Sequence, residues 1–150
     1  MRAVIQRVSS GAVFISGEKY SSINQGLLIL IGIEEQDTKE DAEWLCKKIV
    51  QLRIFSDIKE LMNLSVLDIK GELLVVSQFT LFASTKKGNR PSFIRAAKPE
   101  QAEPLYEHII KQLNVLMRRE IKTGVFGANM KLSLMNDGPV TIIIDTKQKE

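Results

Sequence analysis

The run Leu27-Leu28-Ile29-Leu30-Ile31-Gly32-Ile33 decides the fold of this 150-residue chain. Its apolar residues do not alternate with polar ones, which is typical of a strand that is buried on both faces of a sheet. The run is also far shorter than the roughly 20 apolar residues of a membrane-spanning helix. We therefore place it as the central strand and expect the rest of the chain to pack around it.

Six further segments have the composition of strands. They are residues 3–8, 12–16, 65–69, 72–82, 131–135 and 140–145. We expect tight turns within each consecutive pair, at residues 9–11, 70–71 and 136–139.

Two segments carry apolar residues at helical spacing. The first is capped by Asp37 or Thr38, with Glu40 completing a capping box after Asp37, and its stripe is Ala42, Leu45, Cys46, Ile49 and Leu52. The second begins near Pro99 and has the stripe Ala102, Leu105, Tyr106, Ile109, Leu113, Leu116 and Met117. Pro104 inside it predicts a kink or a restart. The order β-β-β-α-β-β-α-β-β predicts one α+β domain over residues 1–150, with mostly antiparallel sheet.

Single copies of two reactive residue types restrict the chemistry. With only Cys46 and His108, the chain cannot form an intrachain disulfide or a zinc site of the Cys/His type. Cys46 falls on an apolar stripe, which favours a core residue over a nucleophile. His108 falls off its stripe, which favours a solvent-facing residue over a general base. We find no spacing typical of a metal or cofactor site, and Gly124–Gly127 is too short for a phosphate-binding loop.

The net charge of +3 is concentrated in one segment. Residues 86–98 contain five cations and no acid, so the rest of the chain sums to −2. Cations interleaved with Phe93 suit phosphate contact and base stacking; the alternative is a solvated basic loop. Residues 1–8 contain too few apolar residues for a signal peptide, and an unpaired Cys suits a reducing compartment. We expect a cytoplasmic protein with no membrane partner.

Polar residues end two predicted strands. Ser77-Gln78-Phe79-Thr80 follows four apolar residues; such a segment either lines a site, because buried polar groups need partners, or emerges into solvent. Asn136-Asp137-Gly138-Pro139 is by spacing a turn.

Together these segments resemble the two signature motifs of the D-aminoacyl-tRNA deacylases, also called the D-tyrosyl-tRNA deacylase family. The resemblance covers essentially the whole chain and includes residues 5–8, 53–57, 62–64 and 88–93. It implies a homodimer of barrel-like α+β subunits that needs no metal or cofactor. It also implies hydrolysis of the ester of D-aminoacyl-tRNA, and of glycine mischarged onto alanine tRNA.

The resemblance also implies a role for each site residue. The catalytic segment is Ser77, Gln78, Phe79 and Thr80. Gly138 and Pro139 form a Gly-cisPro motif that enters the other subunit's pocket and rejects L-amino acids. Supporting residues are Arg7, Asn136 and Met130. The residues that contact the 3′ acceptor end of tRNA are Lys86, Lys87, Arg90, Phe93 and Arg95.

Ester hydrolysis in such a site does not require a histidine. Backbone N–H groups of Phe79 and Thr80 can stabilise the developing oxyanion, and the substrate's 2′-OH can help to activate water. Thr80 is the nucleophile candidate by side chain, but no base lies near it in sequence. Two other hypotheses stand beside the hydrolase: a non-catalytic module that binds the RNA acceptor end, and a dimeric scaffold.

Overall fold

The apolar run forms the central strand of a six-stranded sheet in the computed structural model, which describes residues 1–149. This strand, β3 (Gly26–Gly32), lies between β1 (Arg2–Ile15) and β6 (Glu72–Ser77). The other strands of the sheet are β2 (Glu18–Ile23), β7 (Lys122–Thr123) and β8 (Lys131–Asp145). A separate two-stranded sheet consists of β4 (Phe55–Ser56) and β5 (Met62–Leu64).

The sheet is antiparallel around β1 and parallel around β6. Strand β1 pairs antiparallel with β2, β3 and β8, whereas β6 pairs parallel with both β3 and β7. The parallel pairs were not predicted. They arise because each connection to and from β6 contains a helix, α1 (Lys39–Gln51) before it and α2 (Pro99–Met117) after it, and parallel strands need such long crossovers.

The prediction of a strand over residues 65–69 is wrong, because residues 66–70 form turns. The Asp68 carboxylate accepts hydrogen bonds from both the backbone N–H and the hydroxyl of Ser65, each at 2.7 Å. The Gly71 N–H donates to the carbonyl of Val66 at 2.9 Å. These local bonds compete with strand pairing and replace the predicted hairpin at Lys70-Gly71.

The predicted turns at residues 9–11 and 136–139 do not reverse the chain. Strands β1 and β8 each continue through them and pair with one another over most of their length. Their register shifts on both sides of Val8, which faces Asn136. Because the irregularities of the two strands face each other, the ladder bends there without ending. Strand β2, polar and at the sheet edge, was not predicted.

Both helices form where predicted, with different details at two positions. Thr38 caps α1 and its capping-box partner is Asp41, not Glu40. Helix α2 continues through Pro104. Pro104 is the sixth residue of the helix and removes only one backbone hydrogen bond, while Ala102 before it and Tyr106 after it are buried in the core. Neither of the two described helices is long and apolar enough to span a membrane.

Strand β3 is buried on both faces, as predicted. Leu27, Ile29 and Ile31 pack against the two helices in one core cluster. Leu28 points the other way, into a second cluster with Val13, Leu74 and Val76 inside the curled sheet. The Ser21 hydroxyl donates to the Thr123 carbonyl at 2.7 Å, which links β2 to β7 and nearly closes a barrel.

Replacing Gly26 with alanine should unfold much of the protein. Gly26 pairs with Val8 on one side and Glu72 on the other, and an added Cβ would lie 1.9 Å from the Glu72 carbonyl oxygen. We expect a loss of about 3 kcal/mol or more in the free energy of unfolding, measured by urea denaturation.

Gly17→Ala is the matched control. Its φ of +82° is strained for alanine, but no atom lies within 4 Å of the added Cβ, so the cost should be about 1–2 kcal/mol. Equal losses of unfolding free energy in Gly26→Ala and Gly17→Ala would contradict the tight packing of three strands at Gly26.

Candidate active site

A cavity of about 590 Å³ opens beside the carboxyl ends of β3 and β6. This is the edge of a parallel pair at which α/β sheets commonly bind ligands, and the volume suits a small molecule. One wall is the segment Ser77–Phe79, and a second is contributed by Phe93, Ala96 and Ala97. The floor and remaining side are formed by Ile33, Ala102, Phe126, Asn129, Met130 and Leu132.

The chain leaves β6 directly at the cavity. The predicted strand over residues 72–82 ends at Ser77, and residues Phe79–Phe82 form a 3₁₀-helix. Gln78 makes the last backbone hydrogen bond to β3, since its N–H donates to the Ile31 carbonyl at 2.7 Å. As the first residues of a helix, Phe79 and Thr80 have N–H groups without a partner inside it. Two donors are therefore available beside the cavity for a carbonyl oxygen.

The side chains of this segment are partly open to solvent. Phe79 is 57% exposed, and the Gln78 amide donates a hydrogen bond to the Thr80 hydroxyl. Thr80 itself does not line the cavity. An amide is not a base, so the neighbour of this hydroxyl cannot take its proton.

The predicted basic segment forms a hairpin next to the second wall. Ser84 and Ser92 exchange two backbone hydrogen bonds, at 2.8 and 2.9 Å. Lys86, Lys87 and Arg90 lie exposed at its tip, with no acidic side chain in ion-pair range among residues 1–149. Phe93 follows and packs edge-on against Phe79, with ring centroids 5.1 Å apart. Arg95 differs, because its guanidinium pairs with Glu34 at 2.9 Å.

Gly138 and Pro139 lie outside the cavity of their own chain. They are exposed, and the peptide bond between them is cis. The buried Arg7 fixes the segment, since its Nε donates to the Asp137 carbonyl at 2.8 Å and its Nη1 to the Ile54 carbonyl at 2.6 Å. The Asn136 amide oxygen also accepts the Val140 N–H at 2.8 Å.

The predicted site residues thus form three groups. Ser77, Gln78, Phe79, Phe93 and Met130 meet at the cavity. Arg7 and Asn136 instead surround Gly138-Pro139, and the three hairpin cations lie at the tip of the neighbouring loop.

Phe126 and Asn129 line the cavity but were not predicted. The glycines beside Phe126 were considered only as a phosphate-binding loop. Their placement depends on the short parallel strand β7, whose Thr123 lies opposite Val75 of β6 and whose two residues give no readable sequence pattern.

Cys46 and His108 lie outside the cavity. Cys46 is buried, and burial raises the pKa of its thiol to about 12, as expected for a core residue. His108 is less exposed than predicted: its side chain is 21% exposed and its Nε2 lies 3.4 Å from a Glu43 oxygen, between the two helices. Across residues 1–149, no three His, Cys, Asp or Glu side chains are grouped as metal ligands.

A family model described as D-Tyr-tRNA(Tyr) deacylase matches residues 4–145. The chain belongs to this deacylase family. Family membership and the enzyme class, a hydrolase, were predicted from the sequence and are confirmed. A relative from Bacteroides fragilis (strain YCH46), named D-aminoacyl-tRNA deacylase, is 61% identical over 150 residues and is covered completely, as is this chain.

Two solved structures share the fold of this deacylase. One, titled "c-Myc DNA Unwinding Element Binding Protein", has a TM-score of 0.92 at 43% identity, covering 97% of this chain and 98% of that one. The other, titled as a probable eukaryotic D-amino acid tRNA deacylase, has a TM-score of 0.81 at 18% identity, covering 95% and 97%. The second supports the barrel-like α+β fold alone.

The Cys46 thiol should be inert in the folded deacylase. With its pKa raised to about 12 by burial, almost no thiolate forms at pH 8. We expect iodoacetamide to label Cys46 only in urea. Cys46→Ala should keep full deacylase activity and lose about 1 kcal/mol of stability. Labelling of the folded protein that abolishes activity would make Cys46 a site residue.

Proposed function

We propose that the chain, as one domain over residues 1–150, hydrolyses the ester that joins a D-amino acid to the 3′-terminal ribose of tRNA. Free tRNA and the D-amino acid are released. The observation that carries this proposal is the largely apolar cavity at the end of β6. Its lining includes Phe79, which begins the 3₁₀-helix, so the N–H groups of Phe79 and the adjacent Thr80 have no partner within that helix. Family membership supplies the substrate class.

The reaction needs a water molecule and two backbone donors. Water adds to the ester carbonyl, and the resulting oxyanion is stabilised by the N–H groups of Phe79 and Thr80. The bond from the carbonyl carbon to the ribose 3′ oxygen then breaks, and that oxygen takes up the proton that the attacking water has lost. The substrate's 2′-OH assists the attacking water. Ser77 and Gln78 orient the carbonyl, and Thr80 forms no covalent intermediate, since its hydroxyl neighbour is the Gln78 amide. No metal or cofactor takes part.

Gly138 and Pro139 complete the cavity of a second subunit in a homodimer. On their own chain they are exposed, lie away from the cavity and are held firmly by Arg7 and Asn136. The same strand exposes two large apolar side chains, Met135 at 63% and Ile143 at 72%, which a second copy would cover.

Backbone carbonyls of the inserted pair bind the substrate's α-amino group and exclude an L side chain by contact. Glycine has no side chain to exclude, so glycyl-tRNA, including glycine on alanine tRNA, is also a substrate. This contact rejects the L enantiomer without selecting any particular side chain, so the range of D-amino acids is broad.

The hairpin brings the acceptor end to the cavity. Lys86, Lys87 and Arg90 contact phosphates of the RNA, Phe93 stacks on a base, and Arg95 adds positive charge nearby. We place the enzyme in the cytoplasm, with RNA and not DNA as its partner. A non-catalytic module that binds the acceptor end would need the same cations but no N–H donors at the cavity.

The direct test is hydrolysis of D-tyrosyl-tRNA and L-tyrosyl-tRNA, followed as release of the amino acid. We expect release from the D form, little from the L form, and no change when a chelator is added. Equal rates, or no release of the D form, would exclude the proposal; loss of activity on chelation would exclude metal-free chemistry.

Mixing two inactive variants tests insertion across subunits. Gly138→Ala damages the motif, because the added Cβ would lie 2.9 Å from Arg7 Nη2 at a φ of +137°. Ala128→Phe fills the cavity from its lining loop. After co-refolding, about half of the dimers should be mixed, and each mixed dimer should contain one intact site out of two. The whole sample should then have about a quarter of wild-type activity. No recovery would contradict insertion across subunits.

A further inference from the structure

Glu34 and Arg95 are joined across the outer side of the cavity wall. The Arg95 guanidinium donates to Glu34 Oε2 at 2.9 Å. The Glu34 side chain is only 11% exposed, so its carboxylate requires a partner. Its backbone is fixed as well: the Glu34 N–H donates to the Asp37 carboxylate at 2.7 Å, and the Asp37 N–H returns a bond to the Glu34 carbonyl at 3.0 Å. Glu34 is thus a rigid anchor at the end of β3.

Arg95 also stacks on the 3₁₀-helix that continues from the first wall. Its guanidinium carbon lies 5.4 Å from the centroid of the Phe82 ring, and that of Arg2 lies 4.9 Å from the same centroid. Phe82 ends the 3₁₀-helix that begins with Phe79 and is 1% exposed. A planar guanidinium can form the ion pair and the ring contact together, which an ammonium does less well.

These contacts connect the two walls of the cavity. The Gln78 N–H on the Ile31 carbonyl fixes the first wall to β3. The Ala97 N–H on the Ile33 carbonyl, at 2.9 Å, fixes the second wall to the residue that follows β3. Glu34 also forms a β-bridge with Ala96. Arg95 lies between the wall residues Phe93 and Ala96, so its ion pair and ring contact set the distance from the second wall to the first.

We propose that Arg95 and Glu34 are positioning residues that hold the wall of Phe93, Ala96 and Ala97 in place for the 3′-terminal nucleoside. This rests on the proposed function, which places the substrate in the cavity. Arg95 acts through Glu34 and Phe82 and not through a phosphate, unlike the three hairpin cations. The nucleoside is bound equally before and during the reaction, so the pair lowers KM and leaves kcat unchanged.

The variant Glu34→Gln distinguishes a phosphate contact of Arg95 from a positioning role. If Arg95 contacts phosphate, Arg95→Gln lowers the slope of log KM against log salt by about one, while Glu34→Gln leaves KM unchanged or improves it by freeing the guanidinium. If the pair positions the wall, Arg95→Gln and Glu34→Gln each raise KM for D-tyrosyl-tRNA about tenfold, with kcat and the salt slope unchanged. The double variant is then no worse than either single one.

Three further variants make the outcome decisive. Arg95→Lys keeps the charge and the pair with Glu34, so its KM should lie between those of the wild type and Arg95→Gln. Lys87→Gln, a cation with no acidic partner, should lower the salt slope by about one. Ala128→Phe should abolish activity whatever the role of Arg95, so activity in that variant would reject the cavity as the substrate site. Thermal unfolding of every variant reports any general loss of folding.

Our proposal is overturned if Glu34→Gln leaves KM at the wild-type value, if Arg95→Gln changes the salt slope as Lys87→Gln does, or if the two KM effects multiply in the double variant. Each of these results would leave D-tyrosyl-tRNA hydrolysis by the wild type, and so the proposed function, untouched.

Discussion

Burial of β3 on both faces is the constraint on which the rest of the structure depends. One face packs against both helices and the other fills the curled sheet, so the strand has little freedom to move. The Ile31 carbonyl near its end accepts the Gln78 N–H, and the Ile33 carbonyl just beyond its end accepts the Ala97 N–H. The two cavity walls are therefore attached to a strand that is buried on both faces and to the residue after it, which suits a site that uses fixed backbone dipoles.

Much of the fold could be read from local patterns. The double-sided strand, both helices and the position of Ser77–Thr80 at a strand end all depend on spacing within a few residues, and all appear in the structure. The basic segment was equally visible, because its charges are consecutive in the sequence. A core role for Cys46 followed from its position on a helical stripe, and its burial agrees.

Other features depend on contacts that no local pattern carries. The parallel pairing of β6 is decided by where the crossover helices return the chain, and β7 is too short to show a period. Residues 136–139 look like a turn because Gly and Pro usually end strands. In the fold, a matching irregularity in β1 lets β8 continue past them. The neutralisation of Glu34 by Arg95 joins residues 61 positions apart.

The facing irregularities of β1 and β8 have a consequence for variation in chain length. Arg7 reaches Asp137 where both strands shift register, so losing or gaining one residue between Val8 and Gly11 would turn the following side chains to the opposite face. The Arg7 contact would be misaligned as well. The tip of the Ser84–Ser92 hairpin has no such partner strand among the described residues. Related sequences should therefore differ in length at that tip and keep β1 and β8 at constant length.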